Sequence, residues 1–196
     1  EDPYKVMETL IREKIDATLM SLGVAKITYE LFNVKDAPAK VLTIDYPMHS
    51  SIPGEFHGQI EYELAFTVEQ ALKWDFCAVK VMLPWGLQPE LQMKVIKNIL
   101  TLQNDCDRND MPLMIEPLVL GECIPKEKRN SPEMIAHAAR LSLELGADIL
   151  KIAYTGDKKS FKEIVDRSHV PVIILGGPKM DSTADMFRIA RESVEA

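Results

Sequence analysis

Six short apolar runs punctuate the chain, at residues 17–22, 40–46, 77–83, 112–118, 148–153 and 170–175. They are rich in Val, Ile and Leu and mostly continuous rather than alternating, the pattern of parallel strands buried on both faces. Between them, apolar positions recur at helical spacing. Val6, Met7, Leu10 and Ile11 follow Asp2-Pro3, an N-cap with a first-turn proline. Ile135, Ala138, Ala139 and Ser142 follow Ser131-Pro132-Glu133, and Gly146 stops that helix. Leu91, Val95, Ile96, Ile99 and Leu100 mark a helix after Pro89, and residues 162–167 and 182–194 read as two more. Strict alternation of strand and helix predicts a parallel sheet with helical crossovers.

Two α/β architectures satisfy that order: a closed (β/α)8 TIM barrel and an open doubly wound sheet. No Gly-x-Gly-x-x-Gly follows an early strand, which weakens the dinucleotide-binding alternative. A barrel needs eight strands in about 250 residues. Six are legible here, and the chain opens on Glu1 and closes in a helix. The expectation is therefore a single barrel domain over residues 1–196, truncated at both ends, with the first and eighth strands outside the sequence. The longest irregular stretch, residues 47–58, carries Pro47, Pro53 and Gly54 and follows a strand end, the place for a lid or substrate loop.

Composition narrows the partners. The formal net charge of −7 argues against nucleic acid, since no Lys/Arg stripe offsets it. No apolar run approaches the ~18 residues of a membrane span, and no signal peptide opens the sequence, so no membrane association is expected. Cys77, Cys106 and Cys123 show neither disulfide nor zinc spacing and read as reduced thiols in a cytoplasm, with Cys77 expected to be buried. An incomplete barrel would expose strand edges and favour self-association into a homo-oligomer.

The candidate chemistry lies in the strands themselves. Lys151 interrupts the apolar run Asp148-Ile149-Leu150-Lys151-Ile152-Ala153, and Lys80 stands in Ala78-Val79-Lys80-Val81-Met82-Leu83. A buried charge is costly unless paired. A lysine that attacks a carbonyl must be neutral, so its pKa, about 10.4 when unperturbed, has to be lowered by burial or by a nearby cation. Lys151 is thus the candidate nucleophile and Lys80 the second cation, against the plain alternative that each snorkels to a strand end or pairs with a carboxylate. Glu116, in Leu113-Met114-Ile115-Glu116-Pro117-Leu118, is either a proton shuttle or a structural ion-pair partner of one of those lysines. Asp45 ends the second apolar run, where a barrel places its active site, or caps a turn before Pro47. Tyr154 follows Lys151 at the strand end, and Trp85 lies just past another. Tyr154 either contacts substrate hydroxyls or simply closes the strand, and Trp85 either walls a substrate pocket or stacks on the core. Gly176-Gly177, before Pro178-Lys179, either turns backbone N–H groups towards a phosphate, as loops after late barrel strands do, or is a plain strand-to-helix turn. His49, His57, His137 and His169 are scattered without metal-ligand spacing, so no metal and no cofactor is expected.

The run from Gly146 to Asp157, the run from Pro171 to Lys179 and the strand order resemble the class I aldolases of the DeoC/LacD/FbaB type, over nearly the whole chain. The resemblance implies a (β/α)8 barrel with Lys151 as the Schiff-base lysine of strand six. It implies cleavage or formation of a carbon–carbon bond in a phosphorylated ketose of the fructose-, tagatose- or sulfofructose-phosphate kind. Leu118 stands where archaeal-type fructose-bisphosphate aldolases carry a catalytic tyrosine, and Glu116 two residues earlier is more similar to the tagatose-bisphosphate or sulfosugar-phosphate branch. The family's strand-one acidic residue and strand-eight Gly-Arg clamp have no counterpart in these residues. The alternatives are a thiolase- or transaldolase-like transferase on the same scaffold, and an inactive barrel remnant serving as an assembly subunit.

Overall fold

A computed structural model describes residues 2–48, 61–176 and 182–196. All six expected strands form, as β1 (Ala17–Met20), β2 (Ala39–Thr43), β5 (Ala78–Trp85), β6 (Leu113–Val119), β7 (Ile149–Ile152) and β8 (Val172–Ile174). The chain packs as two compact units, Glu1–Val81 with Asn104–Leu113, and Met82–Gln103 with Met114–Ala196.

In the first unit, α1 (Pro3–Arg12) starts where the sequence marks it, with the Asp2 carboxylate accepting the Tyr4 amide. Strand β1 pairs with β2 in parallel, setting Leu19 beside Val41 and Met20 beside Leu42. Strand β2 pairs with β5 in parallel, setting Leu42 beside Val79 and Thr43 beside Lys80. Leu42, Ile44, Val79 and Val81 are fully buried, the burial on both faces that a continuous apolar run demands. Two six-residue helices, α2 (Leu22–Ile27) and α3 (Val68–Lys73), are too short for an apolar period to reveal. Their caps carry the signal instead: Ser21 accepts the Val24 amide, and Thr67 with Gln70 closes a capping box.

The second apolar run departs from expectation. Strand β2 stops at Thr43, the Ile44 amide donates to the Lys80 carbonyl, and the Ile44 carbonyl accepts the amides of Ala65 and Phe66. Asp45 therefore does not end the parallel strand. It opens β3 (Asp45–Met48), which pairs antiparallel with β4 (Glu61–Leu64), Asp45 facing Leu64 and Pro47 facing Tyr62. Proline is tolerated there because a two-stranded ribbon consists of edges. The flanks of the expected loop are thus ordered hairpin arms, and its middle, with His49 and His57, lies outside the described residues. Cys77 is exposed rather than buried, because it precedes the first residue of β5 and its thiol turns to the Lys40 carbonyl.

The second unit carries most of α4 (Pro89–Arg108), then α5 (Pro132–Glu144), α6 (Lys158–Ser168) and α7 (Thr183–Val194) around β6, β7 and β8. Strand β6 pairs with β7 in parallel, Met114 beside Ile149 and Ile115 beside Leu150, and β7 pairs with β8, Lys151 beside Ile173. Helix α5 ends through Gly146, at φ +88°, a conformation open to glycine. A Cβ there would also lie 2.7 Å from the Gln103 side chain. Among the described residues, no helix is long and apolar enough to cross a membrane.

Candidate active site

Strand β7 alternates rather than burying every residue. Leu150 and Ile152 are fully buried, while Ile149 and Lys151 face a half-open side. The register that sets Ile115 beside Leu150 brings the next residues, Glu116 and Lys151, alongside each other on adjacent strands. There the Lys151 ammonium donates to Glu116 Oε2 at 3.2 Å, with the two side chains 21% and 10% exposed. Burial that deep favours a paired charge, and the residual exposure leaves the amine reachable. The chemistry of such a pair is proton exchange between a nitrogen and an oxygen, next to a face that a ligand can approach.

A second pair of the same composition sits in the first unit. Lys80 Nζ donates to Asp45 Oδ1 at 3.3 Å, with the side chains 5% and 0% exposed. The hairpin that displaced Asp45 from the parallel strand is what delivers its carboxylate to Lys80.

The remaining sequence candidates are placed as follows. Tyr154 is half-buried, its ring edge-on to Phe161 at 5.3 Å and its hydroxyl donating to Glu192 of α7 at 2.5 Å. Burial, then the hydrogen bond to that carboxylate, pushes the phenol up to about 12, and the same bond holds Glu192 below the usual carboxylate range. Trp85 is half-buried with its ring 5.6 Å from that of His137. Gly176 is exposed with open space around its Cα. Gly177, with Pro178 and Lys179, lies outside the described residues. Two participants carried no sequence signal. Glu192 lies on a helix whose polar positions read as solvated surface, and Gln92 is one of four amides, with Asn98, Gln103 and Asn104, in a mixed helix.

Parallel strands joined by helical crossovers, with a strand-borne lysine against a carboxylate, define an α/β protein with a proton-exchanging pair at a half-open strand face. Over residues 1–196 the chain matches the model of the DeoC/LacD family aldolases, and it belongs to that family. It is 26% identical over 197 residues to an uncharacterised aldolase of Saccharolobus solfataricus, covering all of this chain and 72% of that protein. It is 36% identical over 106 residues to the class 1 fructose-bisphosphate aldolase of Thermoproteus tenax, covering 54% of this chain and 40% of the other. Among solved structures, an archaeal fructose-1,6-bisphosphate aldolase, with its catalytic lysine covalently bound to the carbinolamine intermediate of its substrate, matches with a TM-score of 0.82 at 26% identity. That match covers 99% of this chain and 72% of that one. The fold class is accordingly the TIM barrel, with six parallel strands among the described residues.

Proposed function

We propose that the chain carries the reactive lysine of a Schiff-base aldolase acting on a phosphorylated ketose, with Lys151 as the nucleophile and Glu116 as its proton partner. The observation that carries this reading is the 3.2 Å contact between Lys151 Nζ and Glu116 Oε2 on a half-open strand face. The archaeal relative's covalent lysine adduct supports the same chemistry by family.

The ammonium first passes a proton to the Glu116 carboxylate. The free amine then forms a C–N bond to the keto carbon, and the carbonyl oxygen takes up a proton to give a carbinolamine. Glu116, now protonated, returns its proton to the carbinolamine hydroxyl, which leaves as water and yields an iminium. The iminium withdraws electrons, so the bond between its α and β carbons breaks. Its electron pair becomes the enamine, and the departing fragment passes its β-hydroxyl proton to the Glu116 carboxylate to become an aldehyde. Protonation of the enamine carbon and addition of water release the second product and restore the amine. Trp85 and Tyr154 serve as substrate contacts in this reading, and Gly176 with Gly177 as the phosphate hold. The compartment proposed is the cytoplasm, in keeping with three free thiols.

Borohydride trapping tests the proposal. Incubation with fructose 1,6-bisphosphate or tagatose 1,6-bisphosphate, reduction, and peptide mass spectrometry should place the retained carbon skeleton on Lys151. Lys151→Met should abolish the adduct. An adduct that persists in that variant, or that maps to Lys80, would reassign the nucleophile.

A further inference from the structure

The turn after β5 is bonded to the turn after β6 through its backbone, and a single glutamine braces the first of the two. Gln92, in the first turns of α4, is 8% exposed. Its Oε1 accepts the amides of Gly86 at 3.0 Å and Leu87 at 3.3 Å, and its Nε2 donates to the Pro84 carbonyl at 3.0 Å. The other peptide groups of the same turn face the turn after β6. The Trp85 carbonyl accepts the amides of Leu120 at 3.1 Å and Gly121 at 2.9 Å, and the Gly86 carbonyl accepts the Cys123 amide at 2.9 Å. The two backbones touch: a Cβ on Gly121 would lie 1.8 Å from the Gly86 carbonyl carbon. The other buried side chains of α4, Val95, Ile99, Leu102 and Cys106, are apolar. Burying an amide among them costs free energy unless its hydrogen bonds are made, and Gln92 makes three.

We propose that Gln92 is a positioning residue for the carbon–carbon chemistry, bracing the turn whose carbonyls grip the end of β6 so that Glu116 keeps its alignment with Lys151. The inference rests on the aldolase reading above. Strand C-terminal ends are where a barrel builds its active site, and Glu116 stands four residues before the clamped Leu120 amide. Catalytic groups must be held to a fraction of an ångström, since a misplacement of about 1 Å costs roughly 10²-fold in rate. Without Gln92, the amides of Gly86 and Leu87 and the Pro84 carbonyl lose their partner, and the turn that grips β6 loses its own support.

Two variants of the full chain test this, Gln92→Met, which removes the amide at similar length, and Gln92→Glu, which keeps the acceptor and loses the donor. Each is assayed well below its unfolding temperature for fructose 1,6-bisphosphate cleavage and for the pH dependence of borohydride trapping at Lys151. The expected result is a fall in kcat of about tenfold or more with KM within about threefold, together with a displaced pH profile for trapping. The proposal is overturned by a folded variant that melts earlier yet keeps wild-type kcat and the wild-type profile. Should Gln92→Met fail to fold, the same readouts on Gln92→Glu decide. A wild-type chain that forms no adduct would sink the aldolase reading itself, and this inference with it. That outcome is recognisable because it needs no Gln92 variant.

Discussion

The two lysine–carboxylate pairs differ most in their access to solvent. Lys80–Asp45 and Lys151–Glu116 have nearly equal contact distances, 3.3 and 3.2 Å. The first is sealed, with side chains 5% and 0% exposed, and the second is open by 21% and 10%. A sealed pair keeps its charges by mutual compensation, and its lysine has little room to meet a substrate. A pair at a half-open face can trade its partner for a ligand. Chemistry of identical composition is therefore sorted by access, and access favours Lys151 as the reacting amine.

Replacing each lysine by methionine should break the comparison most sharply. Lys151→Met should eliminate the trapped adduct while lowering the unfolding midpoint less than Lys80→Met does, because Glu116 keeps some access to water. Lys80→Met should lower stability by about 3–5 kcal/mol, because it removes the ion-pair partner of a fully buried carboxylate. Denaturant unfolding of both variants checks this, and equal losses would erase the distinction. If Lys80 also serves the reaction, the Lys80→Met protein that still folds will show slower trapping.

A smaller effect should follow from Glu116→Gln, which keeps the shape and removes the proton acceptor. Adduct formation should slow by about 10²–10⁴-fold, measured by quenching the trapping reaction over time, with little change in melting. An unaltered rate would reduce Glu116 to a structural counter-ion.

The smallest expected effect concerns pH and the outer helix of the second unit. Glu192 and Glu195 are held below the ordinary carboxylate range, the first by the Tyr154 hydroxyl and the second by the Lys158 ammonium. A folded-state pKa below the unfolded one contributes stability above the unfolded value, about 4.3, that is lost as pH falls through the folded value. Hydrogen exchange of α7 amides, corrected for intrinsic rate, should therefore show protection falling as pH drops from about 6 to about 3. Glu192→Gln should flatten part of that dependence. Unchanged protection in the acid range would mean that these contacts do not hold α7.

Much of this was readable from the amino acids. The six parallel strands were legible because continuous Val/Ile/Leu runs have few alternatives to two-sided burial. The start of α1 and both ends of α5 were legible because Asp2-Pro3, Ser131-Pro132 and Gly146 act locally, through backbone hydrogen bonds and φ. Lys151, Lys80 and Glu116 stood out because ionisable groups inside apolar runs require an explanation. The resemblance to the aldolases rested on the same runs, and the family match agrees with it. The hairpin of β3 and β4, α2 and α3 escaped notice because elements of four to six residues hold too few apolar positions to show a period.

By itself, then, the sequence determined the order of the parallel strands, the family, and the short set of side chains able to do chemistry, since each of these is carried by continuous runs along the chain. Only the tertiary structure decided which carboxylate each lysine meets, that Asp45 reaches Lys80 from a hairpin, that Tyr154 is taken by Glu192, and that Gln92 braces the turn after β5. Those partners lie 35, 38 and 35 residues apart for Lys80–Asp45, Tyr154–Glu192 and Lys151–Glu116. Strand register and turn packing bring such distant groups together, and neither is written in any local pattern.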